Sequence, residues 1–193
     1  RFCREVPITP QSAVLEIGSD AEGKVLREIA ARGAARAVGI NPAFLHSPPG
    51  EIGGRLPDSC EMTTGDARQL EFADDSFSAV FSVAVFEHLL DFDHCLAEMY
   101  RVLRPGGYVF AEFGPIWSCS IGHHVCAFGD GREARHHKPE TNPIPNYAHL
   151  LQSRTELDST LAASVPPNLL KAILDWTYES PEINRVFFED YVR

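Results

Sequence analysis

Residues 64–109 of this 193-residue chain read TGDARQLEFADDSFSAVFSVAVFEHLLDFDHCLAEMYRVLRPGGYV. The stretch opens with a Gly-Asp-Ala turn at 65–67 and continues into a largely apolar run at 79–84. Such a short, largely apolar run predicts a buried strand. The apolar residues between 92 and 103 recur at helical spacing, and Pro-Gly-Gly at 105–107 ends that helix before a further strand. The stretch therefore predicts the order strand, helix, strand.

The residues before this stretch show the same alternation. Ala13–Ile17 is an apolar run closed by Gly18 and predicts a first strand, Ala35–Ile40 is a second predicted strand, and Cys60–Thr63 is a third, short one. The apolar residues between 25 and 30 recur at helical spacing. Alternating strands and helices predict an α/β fold with a doubly wound, mostly parallel sheet. Ligands of such sheets bind at the carboxyl ends of the strands, where the strand order reverses.

The pattern changes after residue 113. Residues 114–147 are rich in Gly, Pro, His and Cys without either periodicity, which predicts a long loop. Pro166-Pro167 and Ser180-Pro181 each precede apolar residues at helical spacing, which predicts two helices. We therefore expect one domain over residues 1–193, with the sheet in 1–113 and a loop with a helical extension in 114–193.

Composition and charge limit the kinds of partner and the cellular environment that we expect for the chain. The net charge of −10 argues against nucleic acid, because phosphate binding requires a clustered basic surface. The chain contains no apolar run of about 18 residues, so we predict no membrane span. The five scattered cysteines favour a reducing cytoplasm over a disulfide framework. Because the chain begins with Arg1, we expect a fragment of a longer protein; its oligomeric state is not indicated.

The turn at 65–67, the segment Leu70–Phe77 and the segment Arg101–Gly107 together resemble the middle of a class I S-adenosylmethionine-dependent methyltransferase. The resemblance extends over about residues 13–113 and is closest to the broad group of small-molecule methyltransferases. It implies a Rossmann-like sheet, S-adenosylmethionine as the cofactor and a small-molecule acceptor. Family members normally add a final pair of strands, which this sequence does not predict.

The segment from Glu16 to Gly23 departs from the family pattern. In the family, an acidic residue precedes glycines at alternating positions, whose backbone approaches the cofactor. Glu16 and Gly18 match, whereas Asp20 and Glu22 stand where further glycines are expected, and Gly23 is displaced. Either the loop is adapted and uses Gly23, or the two carboxylates have damaged the site that receives the carboxylate of the cofactor.

The resemblance also implies which side chains hold the cofactor. Asn41 stands where the family carries an acidic residue for the ribose hydroxyls, and Asp66 where an acidic residue accepts from the adenine amino group. Ala67 leaves room for the adenine ring. The expected cofactor-binding residues are Glu16, Gly18, Ser19, Gly23, Asn41, Gly65, Asp66, Ala67 and Ser82.

Three histidines are candidates for catalysis on the acceptor. His88 follows the fourth strand, and His123 and His124 follow the fifth, where the family builds its acceptor pocket. Histidine can take a proton from a hydroxyl acceptor near neutral pH. Packing or surface roles are the alternatives, as is a metal site with Cys119 and Cys126. The spacing of these residues fits no zinc pattern, so we predict no metal.

The sequence thus predicts methyl transfer to an oxygen or nitrogen of a small molecule, with a sugar or glycan precursor as one candidate. The rival hypothesis is an inactive methyltransferase-like binding or scaffolding domain, which Asp20, Glu22 and Asn41 favour. A nicotinamide dehydrogenase is a third hypothesis. It requires Gly-x-Gly-x-x-Gly after the first strand, and residues 18–23 lack the middle glycine.

Overall fold

A computed structural model describes residues 5–45, 55–125 and 142–193 of the chain. The chain divides into two compact units, Arg1–Phe113 and Gly114–Arg193. The strands all belong to the first unit and are β1 (Ala13–Ile17), β2 (Arg36–Ile40), β3 (Cys60–Thr63), β4 (Phe77–Val83) and β5 (Leu103–Glu112). The helices are α1 (Lys24–Ala31), α2 (Phe92–Val102), α3 (Ala148–Leu151), α4 (Arg154–Leu161), α5 (Pro167–Glu179) and α6 (Phe188–Tyr191).

The five strands form one parallel sheet in the order β3-β2-β1-β4-β5. Leu15 at the middle of β1 lies between Val38 of β2 and Val80 of β4. From β1 the chain builds outward to β2 and β3 on one side, and then returns to add β4 and β5 on the other. This confirms the predicted doubly wound α/β fold.

The apolar residues of the first unit pack where their spacing predicts. Every residue of β1 is buried, as expected for a strand covered on both faces. Leu26 and Ile29 lie on one face of α1 and join Val14 and Phe81 in a single buried cluster. The predicted helix therefore covers the sheet beside the carboxyl end of β1.

The junction between α2 and β5 differs from the prediction. We expected Pro105-Gly106-Gly107 to end the helix, but the helix ends at Val102 and the chain is already extended at Leu103. A residue that precedes proline is disfavoured in the helical conformation, so the helix must end before Arg104. The pairing of β4 with β5 then shifts register between Phe77 and Ala79, and Gly106 takes a φ of 78°.

The second unit is helical in its described part. Pro167 begins α5, as predicted, and Ser153 starts α4 with a reciprocal pair of hydrogen bonds to Glu156. The helix predicted after Ser180-Pro181 is wrong. There Arg185 takes a φ of 54°, and its guanidinium donates to the carbonyl oxygens of Ser180 and Thr177 at 3.0 and 3.1 Å. These hydrogen bonds satisfy carbonyl groups at the end of α5. The chain continues from there in a turn instead of a new helix.

None of the helices in the described ranges combines the length and apolarity that crossing a membrane requires.

Candidate functional site

A cavity of about 440 Å³ opens at the carboxyl ends of the parallel strands. Its wall includes Gly18 after β1, Asn41 after β2, Asp66 after β3 and Ala84 after β4. This position is where doubly wound sheets bind ligands. Its volume falls within the range of about 300–1,000 Å³ that is typical of small-molecule sites.

The cavity brings together part of the predicted set of site residues. Those in its wall are Gly18, Asn41, Gly65, Asp66, Ala67 and His88. Glu16, Ser19 and Ser82 lie outside the wall and form hydrogen bonds at the carboxyl end of β1, whereas Gly23 precedes α1 and does not line the cavity. The roles assigned to each of these residues from the sequence stay predictions, but the strand order explains why so many of them meet.

Gly18 is the residue at which the first strand turns into the cavity. Its φ of 81° lies in the left-handed region, which side chains disfavour. A Cβ atom at this position would overlap the side chain of Val85, which follows β4. The close approach of two strand ends thus requires glycine here.

Glu16 lies beneath this turn and is buried. Its Oε2 accepts a hydrogen bond of 2.8 Å from the Ser19 hydroxyl. Burial raises the pKa of the Glu16 carboxyl to about 7, although the bond from Ser19 acts in the opposite direction. Ser82 is buried as well, and its hydroxyl donates to the Ile17 carbonyl oxygen at 3.0 Å. Both residues therefore brace the carboxyl end of β1.

The turn that leads into α1 carries a carboxylate, that of Asp20. The Asp20 side chain accepts from the backbone N–H of Glu22 at 2.8 Å and from that of Lys24 at 3.3 Å. Gly23 has a φ of 61° and precedes the helix. An Asp at this position satisfies N–H groups that would otherwise have no partner at a helix start. The same groups are the natural receivers of an anionic ligand.

Asn41 is also engaged by the chain itself. Its Nδ2 donates to the carbonyl oxygen of Ser19 at 3.0 Å, and its Oδ1 accepts from the backbone N–H of Ala43 at 2.9 Å. The bond to Ser19 ties the end of β2 to the turn after β1, and the bond from Ala43 holds the local turn after β2. A side-chain carbonyl can accept a second hydrogen bond, so Asn41 keeps some capacity for a ligand hydroxyl.

Asp66 forms an ion pair with Arg68, a cavity residue that the sequence analysis missed. The shortest contact joins Arg68 Nη2 to Asp66 Oδ2 at 2.6 Å. Hydrogen bonds from the Arg68 side chain hold the pKa of the Asp66 carboxyl below its ordinary value. The sequence signal for this ion pair was that Asp66 and Arg68 are two positions apart in a turn, where one side chain can fold back onto the other.

The three candidate catalytic histidines belong to different units. His88 ends a short 3₁₀ helix, Phe86–His88, and lines the cavity of the first unit. His123 and His124 belong to the second unit, where the His124 ring contacts the carbonyl oxygen of Pro115. The expected roles of both residues in an acceptor loop, and of the following helices as a lid, stay predictions.

His123 is fully buried, and its Nδ1 accepts from the backbone N–H of Val125 at 3.0 Å. Burial lowers the pKa of His123 to about 3, with smaller contributions from His149 and His124. The His123 and His149 rings lie edge to face with centroids 5.1 Å apart. An imidazole with so low a pKa is a weak base near neutrality, so the geometry favours a packing role. Sequence reasoning missed His149, because only the fold brings it to His123.

Within residues 5–45, 55–125 and 142–193, no group of three or more His, Cys, Asp or Glu side chains could hold a metal ion. Cys126, which the metal alternative needed, lies outside the described residues.

Comparisons with known proteins point to one family. A family model described as a methyltransferase domain matches residues 15–111. Over 116 residues the chain is 32% identical to 24-methylenesterol C-methyltransferase 2 of Arabidopsis thaliana, a match that covers 56% of this chain and 31% of the relative. Over 109 residues it is 34% identical to a sterol 24-C-methyltransferase of Eremothecium gossypii, which covers 55% of this chain and 29% of the relative.

A solved structure has the same sheet. A protein from Methanococcus maripaludis, assigned to the S-adenosyl-L-methionine-dependent methyltransferases, aligns with a TM-score of 0.51 at 19% identity. The alignment covers 58% of this chain and 53% of that protein. This likeness supports the fold alone. The two curated relatives are longer proteins, and the matches span less than a third of their length.

The buried Glu16 predicts a specific pH dependence of stability. Between pH 4.5 and about 7 the native chain binds a proton on Glu16 that the unfolded chain does not, so native stability falls as the pH rises through this window. Glu16→Gln removes the effect and keeps an acceptor for Ser19. We expect its stability relative to wild type to increase by about 1.4 kcal/mol for each pH unit across the window.

The measurement is urea unfolding at pH 5 and pH 8, without added ligand. Glu71→Gln, at an exposed position, is the control for the change in net charge. A stability difference between Glu16→Gln and wild type that is the same at both pH values would contradict the assignment.

The buried His123 predicts a dependence of the opposite sign. From pH 6.5 down to about 3 the unfolded chain binds a proton that native His123 does not, so acid removes native stability. His123→Asn retains an acceptor for the Val125 N–H and cannot titrate. We expect thermal unfolding of this variant to lose less midpoint temperature than wild type between pH 7 and pH 5. Equal losses in the two proteins would count against a buried neutral imidazole.

Proposed function

Because the chain belongs to the methyltransferase-domain family, we propose that it transfers a methyl group from S-adenosylmethionine to an oxygen or nitrogen of a small molecule. Membership confirms the resemblance predicted from residues 13–113, and the fold is that of the class I S-adenosylmethionine-dependent methyltransferases. The activity is a proposal because the curated relatives are matched over less than a third of their length.

The observation that carries the proposal is the carboxylate of Asp66 in the wall of the cavity. Asp66 follows β3, next to the small residues Gly65 and Ala67, and faces the same cavity as Gly18. A carboxylate can accept from the amino group of adenine, and the small neighbours leave room for the ring. Asn41 follows β2, which lies two strands from β4 and Ala84 in the sheet, and it also lines the cavity. It supplies a second polar group for the ribose hydroxyls.

The chemistry asks mainly for positioning by the protein. S-adenosylmethionine supplies a methyl group that is bonded to a positively charged sulfur, which makes it an active methyl donor. The residues of the cavity would hold the two reactants so that the acceptor atom can approach the methyl carbon in line with the departing sulfur. His88 in the cavity wall is the candidate to receive a proton from a hydroxyl or amine acceptor.

The acceptor is the open part of the proposal. An oxygen or nitrogen acceptor carries a proton that must leave, and a histidine in the cavity wall suits that task. The names of the two relatives instead describe methylation of a sterol at carbon. A carbon acceptor on an apolar molecule is therefore the alternative substrate class to include in an acceptor screen.

An inactive binding or scaffolding domain is the second candidate function, and one observation favours it. The carboxylate of Asp20 already occupies N–H groups at the start of α1, where the carboxylate of the cofactor is expected to bind. A second anion brought to the same groups would meet electrostatic repulsion. The two candidates differ in whether the loop from Gly18 to Gly23 still accepts S-adenosylmethionine.

Calorimetric titration with S-adenosylmethionine and S-adenosylhomocysteine tests the main proposal. We expect micromolar binding by the wild-type chain and its loss in Asp66→Ala, because the substitution removes the acceptor for the adenine amino group. Asp58→Ala, which breaks an exposed ion pair with Arg55 instead, is the matched control and should bind like wild type. Lack of binding by a folded wild-type chain would leave only the scaffolding function.

Asp20→Gly separates an adapted loop from a damaged one. In an active enzyme we expect this variant to bind S-adenosylmethionine no more tightly than wild type, because the Asp20 side chain organises the turn before α1. Loss of these hydrogen bonds on substitution by Gly should also lower stability by roughly a few tenths of a kcal/mol. Glu22→Gln, which changes the charge equally but leaves the hydrogen bonds of Asp20 in place, is the control. Tighter binding by Asp20→Gly than by Glu22→Gln would favour the degenerate binding domain.

A further inference from the structure

Both oxygens of the Asp66 carboxylate accept hydrogen bonds from a single residue, Arg68. The backbone N–H and the Nε of Arg68 donate to Oδ1 at 2.9 and 3.1 Å. The Nε and Nη2 atoms donate to Oδ2 at 3.1 and 2.6 Å. Three N–H groups of Arg68 thus hold both carboxylate oxygens, with the Nε–H shared between them. A further donor that approaches Asp66 therefore competes with the Arg68 side chain for these oxygens.

The pair of Asp66 and Arg68 matters for a ligand because the two side chains present opposite hydrogen-bonding properties to the cavity. A free Asp66 offers acceptors, whereas Arg68 offers only donors. A purine with an amino group at C6 donates a hydrogen bond there and therefore needs the carboxylate as its acceptor. A purine with a carbonyl group at C6 is an acceptor and suits the guanidinium. Both side chains line the cavity, so the one that faces the base sets which base is preferred.

We propose that Arg68 is a specificity-determining residue of the cofactor site, which weakens the preference of Asp66 for an adenine base. The assignment rests on the proposed function, since it takes the cavity to be the site of an adenine-containing cofactor. An amino group at C6 competes with Arg68 for the Asp66 oxygens, whereas a carbonyl group at C6 leaves the pair intact and accepts a hydrogen bond from Arg68.

The surroundings of Arg68 allow such a movement. The Arg68 side chain is 52% exposed and that of Asp66 is 42% exposed, so solvent can replace the bonds that the pair loses. Asp91, which precedes α2, also interacts electrostatically with the Arg68 guanidinium. A displaced Arg68 therefore has a second carboxylate nearby. The buried thiol of Cys95 completes this side of the cavity and contributes no charge at neutral pH, since burial raises its pKa to about 11.

The test compares two ligands that differ only at C6 of the purine, S-adenosylhomocysteine and S-inosylhomocysteine. Both are titrated calorimetrically into the full chain as wild type and as Arg68→Met, which keeps the length of the side chain and removes its donors. We expect Arg68→Met to bind S-adenosylhomocysteine roughly two- to fivefold more tightly, the range expected for one exposed ion pair. We expect the same variant to bind S-inosylhomocysteine more weakly than wild type does.

Arg32→Met is the matched control, because Arg32 forms an exposed ion pair with Glu28 on α1 and does not line the cavity. It should leave the preference between the two ligands unchanged, and unfolding temperatures should show that both variants are folded. If both ligands bind but Arg68→Met does not change the preference, or binds S-adenosylhomocysteine more weakly, the assignment of Arg68 is overturned and the proposed function stands. If neither ligand binds to any of the folded proteins, the proposed function and the assignment fall together.

Discussion

The structure of the first unit depends on the position of β1 between two parallel neighbours. β1 is buried along its whole length and forms hydrogen bonds with β2 on one side and β4 on the other. Because the chain leaves β1 toward β2 and later returns to β4, the connections diverge and open a crevice at the carboxyl ends. The turn at Gly18 must then pass close to Val85, which only glycine allows. The cavity is a direct consequence of this strand order.

Polar side chains of the chain itself hold groups in and beside that cavity. Asp20 accepts from N–H groups at the turn into α1, Asn41 donates to the turn after β1, and Arg68 pairs with Asp66. Each arrangement satisfies polar groups of a turn. Each also has to be rearranged, in whole or in part, when a ligand takes the same groups. We therefore expect the affinity of the proposed cofactor site to be set by competition with the side chains of the chain itself.

Much of this architecture can be predicted from the sequence, because the spacing of apolar residues and the positions of Gly and Pro indicate helices, strands and turns directly. β1 and β3 have the bounds that their apolar runs indicate, and Asp66 meets Gly18 because the ends of parallel strands share one edge. The helix expected after Ser180 fails because Arg185 satisfies the end of α5 through contacts that periodicity does not encode. The Arg68 ion pair and the buried contact between His123 and His149 likewise depend on side-chain directions that exist only in the folded chain.

The most direct test of the account is a crystal structure of the chain with S-adenosylhomocysteine bound. The account predicts the ligand in the cavity at the carboxyl ends of β1, β2 and β4, with the adenine amino group within hydrogen-bonding distance of the Asp66 carboxylate. It also predicts that the Arg68 side chain has turned away from Asp66. A ligand bound elsewhere on the first unit, or an adenine edge that faces Arg68 while the ion pair stays intact, would contradict it.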